Sequence, residues 1–436
     1  MIEGSRFLAV TLLYKIEFEG KYSNFSLSNE FYREEISSKD RGMLVELVYG
    51  VLERKITLDY YISRFSSVPV RKLDPYVLII LRISVYQLVY MNKVPGYSIC
   101  NEAVNLAKKL APRQTGFINA ILRNMSKEKL SLPSYSKKYF HSHIRFLSVK
   151  YSMPEWIIER LSKTHHENFI EKLFSKMNTN ANFCIRVNKL KTSIEGLIEP
   201  LESKGFHLSK SKLSEYSLIV ENPQGIIETQ EFLDGLFYIQ DTAATLTSEI
   251  LSPKRGEVVL DACCAPGGKT THIAELMSNE GEIVACDLYE NKLKIVNQNA
   301  LRLGITIINT MHIDSKKYFP EFDKRFDKVL LDVPCTGLGI MGRKPEIRWE
   351  RKIEDFEALN SIQLELLENC SKYLKIGGEL VYSTCSIDSS ENEEIINKFV
   401  EDNAEFEFCF DFKYRTYFPH VDNCDGFFIS KIRRIK

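Results

Sequence analysis

Over the first 130 positions, apolar residues recur at helical spacing. Phe7, Val10 and Tyr14 share one face, and Leu8 and Leu12 widen it into a stripe broad enough to pack against other helices. Leu44, Leu47, Val48 and Val51 repeat the pattern behind Ser38-Lys-Asp, residues suited to starting a helix. Residues 77–91 are almost wholly apolar and follow Pro75, which fits a first helical turn. Residues 100–110 and 116–125 predict two more helices. No strand-like alternation interrupts them, so an all-α bundle of about six or seven helices is expected over residues 1–130.

The pattern then changes twice. Residues 131–153, rich in Lys, Ser and Tyr, read as a linker leading to a helix near Pro154. Across 154–236, Phe183-Cys-Ile-Arg-Val, Ser217-Leu-Ile-Val and Leu236-Phe-Tyr-Ile read as strands around a helix over 194–204, predicting a small α/β subdomain. From 237 to 436, strands at 258–261, 283–287, 306–313, 328–332 and 379–383 alternate with helices over 291–303 and 353–374, the latter ending at Gly377-Gly378. Such βα alternation predicts a Rossmann-like, doubly wound parallel sheet. The last six residues, 431–436, read as a solvated final strand.

Composition narrows the class. The chain has 436 residues, 44% hydrophobic and 27% charged, which suits roughly two or three domains and excludes wholesale disorder. No apolar run reaches the ~18 residues of a membrane span; the best, 76–91, contains Arg82 and Gln87. Lys15, Glu17 and Glu19 follow the first apolar run without a signal-peptide cleavage site. A cytoplasmic, monomeric protein is the expectation. The ten cysteines include no C-x-x-C pair, so no zinc ribbon and no metal is expected. Most read as small buried hydrophobes. Net charge is zero, yet residues 1–130 carry +6, residues 131–230 carry +4 and residues 231–436 carry −10. A basic amino-terminal half suits a polyanion such as RNA; it suits a solvated charged surface equally well.

The chemistry concentrates at strand ends. Asp261-Ala-Cys-Cys-Ala-Pro-Gly-Gly-Lys-Thr270 joins a strand to a helix, where such sheets bind ligands. It is neither a P-loop nor G-x-G-x-x-G. Asp287 closes the next strand, where it can accept ribose hydroxyls, and Asp314 follows the third, where it can meet an adenine. A nucleoside cofactor without phosphates fits, S-adenosylmethionine (AdoMet) foremost. Asp332-Val-Pro-Cys-Thr-Gly337 and Ser383-Thr-Cys-Ser386 end the fourth and fifth strands and bring Cys335, Cys385 and Asp332 to one crevice. A thiolate adding to C6 of a cytosine makes C5 nucleophilic toward a methyl sulfonium, and a carboxylic acid near N3 can stabilise the ring.

These three motifs, with the loop Gly339-Ile-Met-Gly-Arg-Lys-Pro-Glu-Ile-Arg-Trp349 and Tyr238-Ile-Gln-Asp-Thr-Ala, resemble the RNA 5-methylcytosine methyltransferase superfamily. The resemblance implies Cys385 as nucleophile, Cys335 as the cysteine assisting product release, and Asp332 as a contact to base and methyl donor. It implies an AdoMet pocket from Cys263, Cys264, Ala265, Pro266, Gly267, Gly268 and Lys269 with Asp287, Asp314 and Asp332; the cysteines of that loop are expected to pack without chemistry. Arg343, Lys344, Arg348 and Trp349, with Arg186 and Asn188 of the subdomain, are expected to touch RNA. Arg41-Gly-Met-Leu-Val-Glu-Leu-Val-Tyr-Gly, Val94-Pro-Gly-Tyr-Ser-Ile-Cys-Asn-Glu-Ala-Val and Gly116-Phe-Ile-Asn-Ala-Ile-Leu-Arg-Asn resemble the NusB RNA-binding fold. A NusB-like domain joined to this methyltransferase is similar to the ribosomal small-subunit methyltransferase B (RsmB, Sun or Fmu) family. That implies methylation of one cytosine of 16S ribosomal RNA, of the class numbered 967. The rival expectations are a non-catalytic RNA-binding assembly factor, or the same chemistry on transfer RNA.

Overall fold

The computed structural model describes residues 4–20, 38–91, 94–128, 130–133, 135–136, 138–179 and 181–436. The chain divides into two compact units, residues 1–178 with 344–350, and residues 179–343 with 351–436.

The first unit is helical. The α-helices Ser5–Glu19, Ser38–Phe65, Pro75–Tyr90, Gly96–Leu110 and Thr115–Met125 lie on the segments that the apolar spacing indicates. These are five among the described residues of 1–130, where the pattern predicts six or seven. The Pro75–Tyr90 helix is opened by Asp74, whose carboxylate accepts from Tyr76 N and Val77 N at 2.9 and 3.2 Å. Its one charge is paired: buried Arg82 reaches Asp59 at 2.7 Å and Glu17 at 2.8 Å, joining three helices. Gly50 lets the Tyr86 ring approach; a Cβ there would sit 2.1 Å from it. Part of the expected linker is helix, His143–Tyr151, capped by Ser142 Oγ accepting from Arg145 N at 3.0 Å. Its nine residues are too polar and short to signal a helix alone; burial of Leu147, Val149 and Tyr151 supports it. Helices Glu155–Leu161 and Glu167–Met177 follow, within the first unit, so the compact boundary falls after the expected start of the subdomain at 154.

The second unit begins with a four-stranded antiparallel sheet. Its strands are β1 (Phe183–Val187), β2 (Leu208–Lys210), β3 (Ser217–Val220) and β4 (Phe237–Ile239), in the order β2-β3-β1-β4. One face packs Ile185, Val187, Leu218, Val220 and Phe237 against the Ile194–Ser203 helix.

The large sheet contains β5 (Val258–Asp261), β6 (Glu282–Asp287), β7 (Ile308–His312), β8 (Phe326–Asp332), β9 (Leu374–Thr384), β10 (Phe406–Phe408), β11 (Tyr414–Tyr417) and β12 (Phe427–Arg434). Its order is β10-β12-β9-β8-β5-β6-β7, with β11 also on β12. β5 to β9 pair in parallel, while β12 runs antiparallel to β9. Alternate residues serve opposite cores. Leu260, Val284, Val329, Leu331, Leu380 and Tyr382 fill one, and Val259, Ile283, Leu330, Val381 and Ile429 the other. From β5 the chain builds outward to β6 and β7, and β8 and β9 extend the other side. The switch point therefore lies between β5 and β8, where open α/β sheets bind ligands.

Two expectations are corrected. Gly377-Gly378 does not end a helix. The Asp355–Cys370 helix stops earlier, and the glycines lie inside β9, where its ladder with β8 shifts register and Gly377 takes φ +82°. The charged segment 431–436 is not a solvated edge. β12 lies between β9 and β10, and buried Lys431 sits 3.1 Å from Glu379 and 3.0 Å from Asp411. Ion pairing lets a charged sequence occupy an interior strand.

Candidate active site

The loop after β5 is built to bring backbone close to a ligand. It contains a cis Ala265–Pro266 peptide and turns at Gly267, whose φ of +99° disfavours any side chain and where a Cβ would press on Val296 at 3.2 Å. The Gly268–Leu276 helix starts there. Buried Asp261 accepts from Thr270 Oγ1 at 2.6 Å through Oδ2, while Oδ1 has no hydrogen-bond partner. Burial pushes its carboxyl up to about 7, against the hydrogen bond from Thr270. A cavity of about 180 Å³ opens beside it, lined by loop residues 263–266 with Tyr238, Gln240, Gly268, Lys269 and Asp332. The thiols of Cys263 and Cys264 are pushed up by burial, which suits packing roles.

Asp287 ends β6 and ties down the same loop: Oδ2 accepts from Ala265 N at 3.3 Å and Oδ1 from Tyr289 N at 2.9 Å. Asp314, half-buried after β7, accepts from Lys316 N at 3.2 Å. Neither lines the cavity.

At the ends of β8 and β9 the two cysteines meet. Cys335 Sγ and Cys385 Sγ are 3.3 Å apart. Asp332 accepts from Lys269 Nζ at 2.7 Å and from Ser383 Oγ at 2.8 Å. Val333 N donates to Ser383 O and Gly339 N to Cys385 O, at 3.0 and 2.9 Å, so the two loops are laced backbone to backbone. Gly339 passes so close to Gly426 that a Cβ would sit 1.9 Å from its carbonyl oxygen. Cys335 is buried, and its thiol is pushed well up by hydrogen bonding to Cys385 and by burial. Cys385 is half-buried. Burial works against the charge of Lys269, but the Asp332 carboxylate, then Cys385, hold its ammonium up.

Behind the cysteines lies a polar layer that the sequence did not reveal. Glu391 and Asn392 follow Cys385 just before the Glu393–Asp402 helix. In sequence they look like ordinary residues at a helix start. In the fold they are fully buried and bonded to both cysteine loops.

Family models match in three consecutive blocks. Residues 3–127 match the NusB family, 153–227 the RsmF/B-like ferredoxin-like domain, and 248–433 the 16S rRNA methyltransferase RsmB/F model. The probable ribosomal RNA small subunit methyltransferase B of Bacillus subtilis (strain 168) is 35% identical over 446 residues, spanning 98% of each chain. The chain belongs to the ribosomal RNA small subunit methyltransferase B family. A methyltransferase homolog protein from Pyrococcus horikoshii is similar at 33% identity and TM-score 0.60, covering 67% of this chain and 98% of that one. NSun6 from the same organism, solved with SFG, is similar at 25% identity and TM-score 0.59, covering 65% and 98%. The NusB-like helical domain, ferredoxin-like subdomain and Rossmann-like sheet are thus the architecture of this methyltransferase B family.

The residues expected to touch RNA are mostly engaged elsewhere. Arg186 is fully buried: its guanidinium bonds Gln240, Gly268 O, Thr271 and Glu275, the last at 2.7 Å. It braces the Gly268–Leu276 helix from β1. Asn188 is equally buried and donates to Gly235 O and Leu303 O at 2.9 and 3.0 Å. Arg343 is ion-paired with Asp425 and Asp241 at 2.6 and 2.9 Å. Arg348, 1% exposed, donates to Glu53 O at 3.0 Å, and Trp349 Nε1 donates to Leu52 O at 2.8 Å. Side chains that spend their donors on carboxylates and backbone carbonyls inside the protein are poorly placed to grip phosphate. Lys344 alone of the six is exposed.

Proposed function

We propose that this chain is an AdoMet-dependent RNA cytosine-C5 methyltransferase that modifies one cytosine of 16S ribosomal RNA. The observation that carries the reading is the sulfur pair: two thiols 3.3 Å apart at neighbouring strand ends, beside an Asp–Lys pair and a cofactor-type loop. The residues fit the methyl donor. Asp261 offers a buried acceptor without a partner, and the glycine turn leaves space that side chains would fill. The loop 263–269 with Asp287 and Asp332 would hold it, and Asp314 would meet its adenine; the relative solved with SFG, an AdoMet analogue, supports the assignment. When bound, AdoMet supplies an electrophilic methyl group.

The chain's own groups then have distinct tasks. Cys385 is the more exposed residue of the pair and interacts with the Lys269 ammonium, the kind of neighbour that activates a thiol nucleophile. Its sulfur forms a bond to C6 of the cytosine, raising electron density at C5, which takes the methyl group. Asp332, fixed by Lys269 and Ser383, holds the base edge and the methyl donor side by side. Transfer of the C5 proton to water then expels Cys385 from C6 as the thiolate, restoring the aromatic ring. Cys335, held as a thiol in contact with Cys385, is placed to donate a hydrogen bond to that departing thiolate. The NusB-like domain supplies phosphate contacts that position the RNA, and the target base is unstacked to reach the crevice.

The test is transfer of labelled methyl from AdoMet to small-subunit ribosomal RNA lacking the mark, with bulk transfer RNA in parallel. One labelled cytosine in ribosomal RNA is expected. Label in transfer RNA would keep the cysteine chemistry and remove the substrate assignment. No label in either, with AdoMet bound, would favour a non-catalytic binding factor.

A further inference from the structure

The two catalytic-loop cysteines sit on different strands, yet their sulfurs touch. Backbone bonds lace the two loops at Val333 and Gly339; between those points, around Cys335, side chains hold the register. Glu391 and Asn392 are the side chains that close this gap. Glu391 Oε1 accepts from Thr336 N at 2.8 Å and from Gln363 Nε2 at 3.2 Å, and Oε2 accepts from Thr336 Oγ1 at 2.5 Å. Thr336 directly follows Cys335. Gln363 Nε2 also donates to Pro334 O at 3.0 Å, so the carboxylate grips the residues on both sides of Cys335. Asn392 does the same for the other sulfur. Its Oδ1 accepts from Thr384 Oγ1 at 2.6 Å, and its Nδ2 donates to Ser386 O at 3.1 Å. Thr384 and Ser386 flank Cys385.

Consecutive residues thus hold the two cysteine loops in one rigid bracket. Tyr382 OH, donating to Glu391 O at 2.7 Å, pins the bracket to β9, and Thr336 Oγ1 lies 3.3 Å from Ser386 Oγ between the two halves. Glu391 and Asn392 are fully buried and hydrogen-bond to residues that flank the sulfurs. A buried carboxylate is costly unless its oxygens are satisfied; Thr336, Gln363 and Ser386 satisfy this one.

We propose that Glu391 and Asn392 are positioning residues that set the sulfur–sulfur distance between Cys335 and Cys385. The geometric part stands on the structure alone. Its catalytic part rests on the cytosine-C5 reading: opening the bracket would slow elimination of Cys385 more than methyl transfer.

The experiment uses the full chain. A trivalent arsenical, phenylarsine oxide, bridges two thiols only when they are close, and its capture is read by mass after digestion, with Cys335→Ala and Cys385→Ala as controls. Glu391→Ala and Asn392→Ala are each expected to lower bridging by about tenfold or more. AdoMet binding should stay near wild type, the thermal midpoint should fall because buried donors lose their partners, and Glu391→Gln, which keeps an acceptor for Thr336 N, should restore most of the bridging. During turnover, the alanine variants should accumulate a denaturant-stable protein–RNA adduct. If Glu391→Ala unfolds, Thr336→Val removes one bond of the bracket and gives the same readout more mildly. Wild-type bridging in all the folded variants would overturn the proposal. Lowered bridging with no RNA adduct even for Cys335→Ala would leave the bracket standing and bring down the cytosine-C5 reading.

Discussion

Cys385 and Cys335 touch, but their surroundings separate them. Cys385 is half-open and near Lys269, whereas Cys335 is buried and held protonated by its neighbour. Cys385→Ala is therefore expected to abolish methyl transfer while changing AdoMet affinity little, checked by labelled-methyl transfer and equilibrium binding; retained activity would remove it as the nucleophile. Cys335→Ala should instead trap protein on RNA, seen as a shifted band in a denaturing gel. Asp261 gives a pH signature. Its folded carboxyl keeps the proton to about pH 7, while the unfolded chain releases it near the ordinary aspartate value of 3.8. The folded state thus binds more protons between those values, so stability falls as pH rises through that window and levels off above it. The change is on the order of 4 kcal/mol for a fully buried group. Asp261→Asn should flatten this slope, measured by denaturant unfolding at about pH 5 and pH 8. The cysteines were legible from sequence because strand-end motifs place them without knowledge of the packing. Arg186, Asn188 and Arg348 were not. A basic residue reads as a phosphate ligand until burial shows its donors spent on Glu275 and on backbone carbonyls.

Elements were legible where one period ruled them. β1, β3 and β5 lie on their expected residues because β-branched alternation is local. β12 misled because its Lys and Arg residues are neutralised by partners far along the chain. Glu379 on β9 meets Lys328 of β8 at 2.5 Å, and Lys431 and Arg433 of β12 at 3.1 and 2.6 Å. Burial raises its carboxyl, but these three cations win and hold it at about 2. A depressed carboxyl stabilises the fold above its ordinary value of 4.5 and loses that contribution as pH falls toward 2. Glu379→Gln should lower stability at neutral pH by roughly 1–3 kcal/mol, read as a shift in the denaturation midpoint that vanishes in acid. Gly339→Ala probes the other strand ends. Its methyl would enter the Gly426 carbonyl, forcing apart the loop that Gly339 N fastens to Cys385 O. Activity should fall by about a hundredfold with AdoMet binding retained; near-normal turnover would show that the loop yields.

For the whole molecule, the order of three domains was legible because each has its own period and motifs. The path of residues 344–350 was not. The sequence presents them as a basic loop after the Pro-Cys motif, yet they belong to the first unit, where Trp349 joins the helical core and Arg348 caps carbonyls. Trp349→Ala should lower the unfolding midpoint of the helical unit, with loss of about 3–4 kcal/mol if the site does not collapse, followed by hydrogen exchange in Ser38–Phe65. The polypeptide enters the first unit twice, the second time after 165 residues of the second unit. A protease nick near residue 180 would thus yield not two free products but a complementing pair, the longer fragment keeping a seven-residue plug in the shorter. Gene-splitting experiments cut there should recover an assembled enzyme, and a methyltransferase half expressed alone should carry that plug as an unsatisfied sticky end.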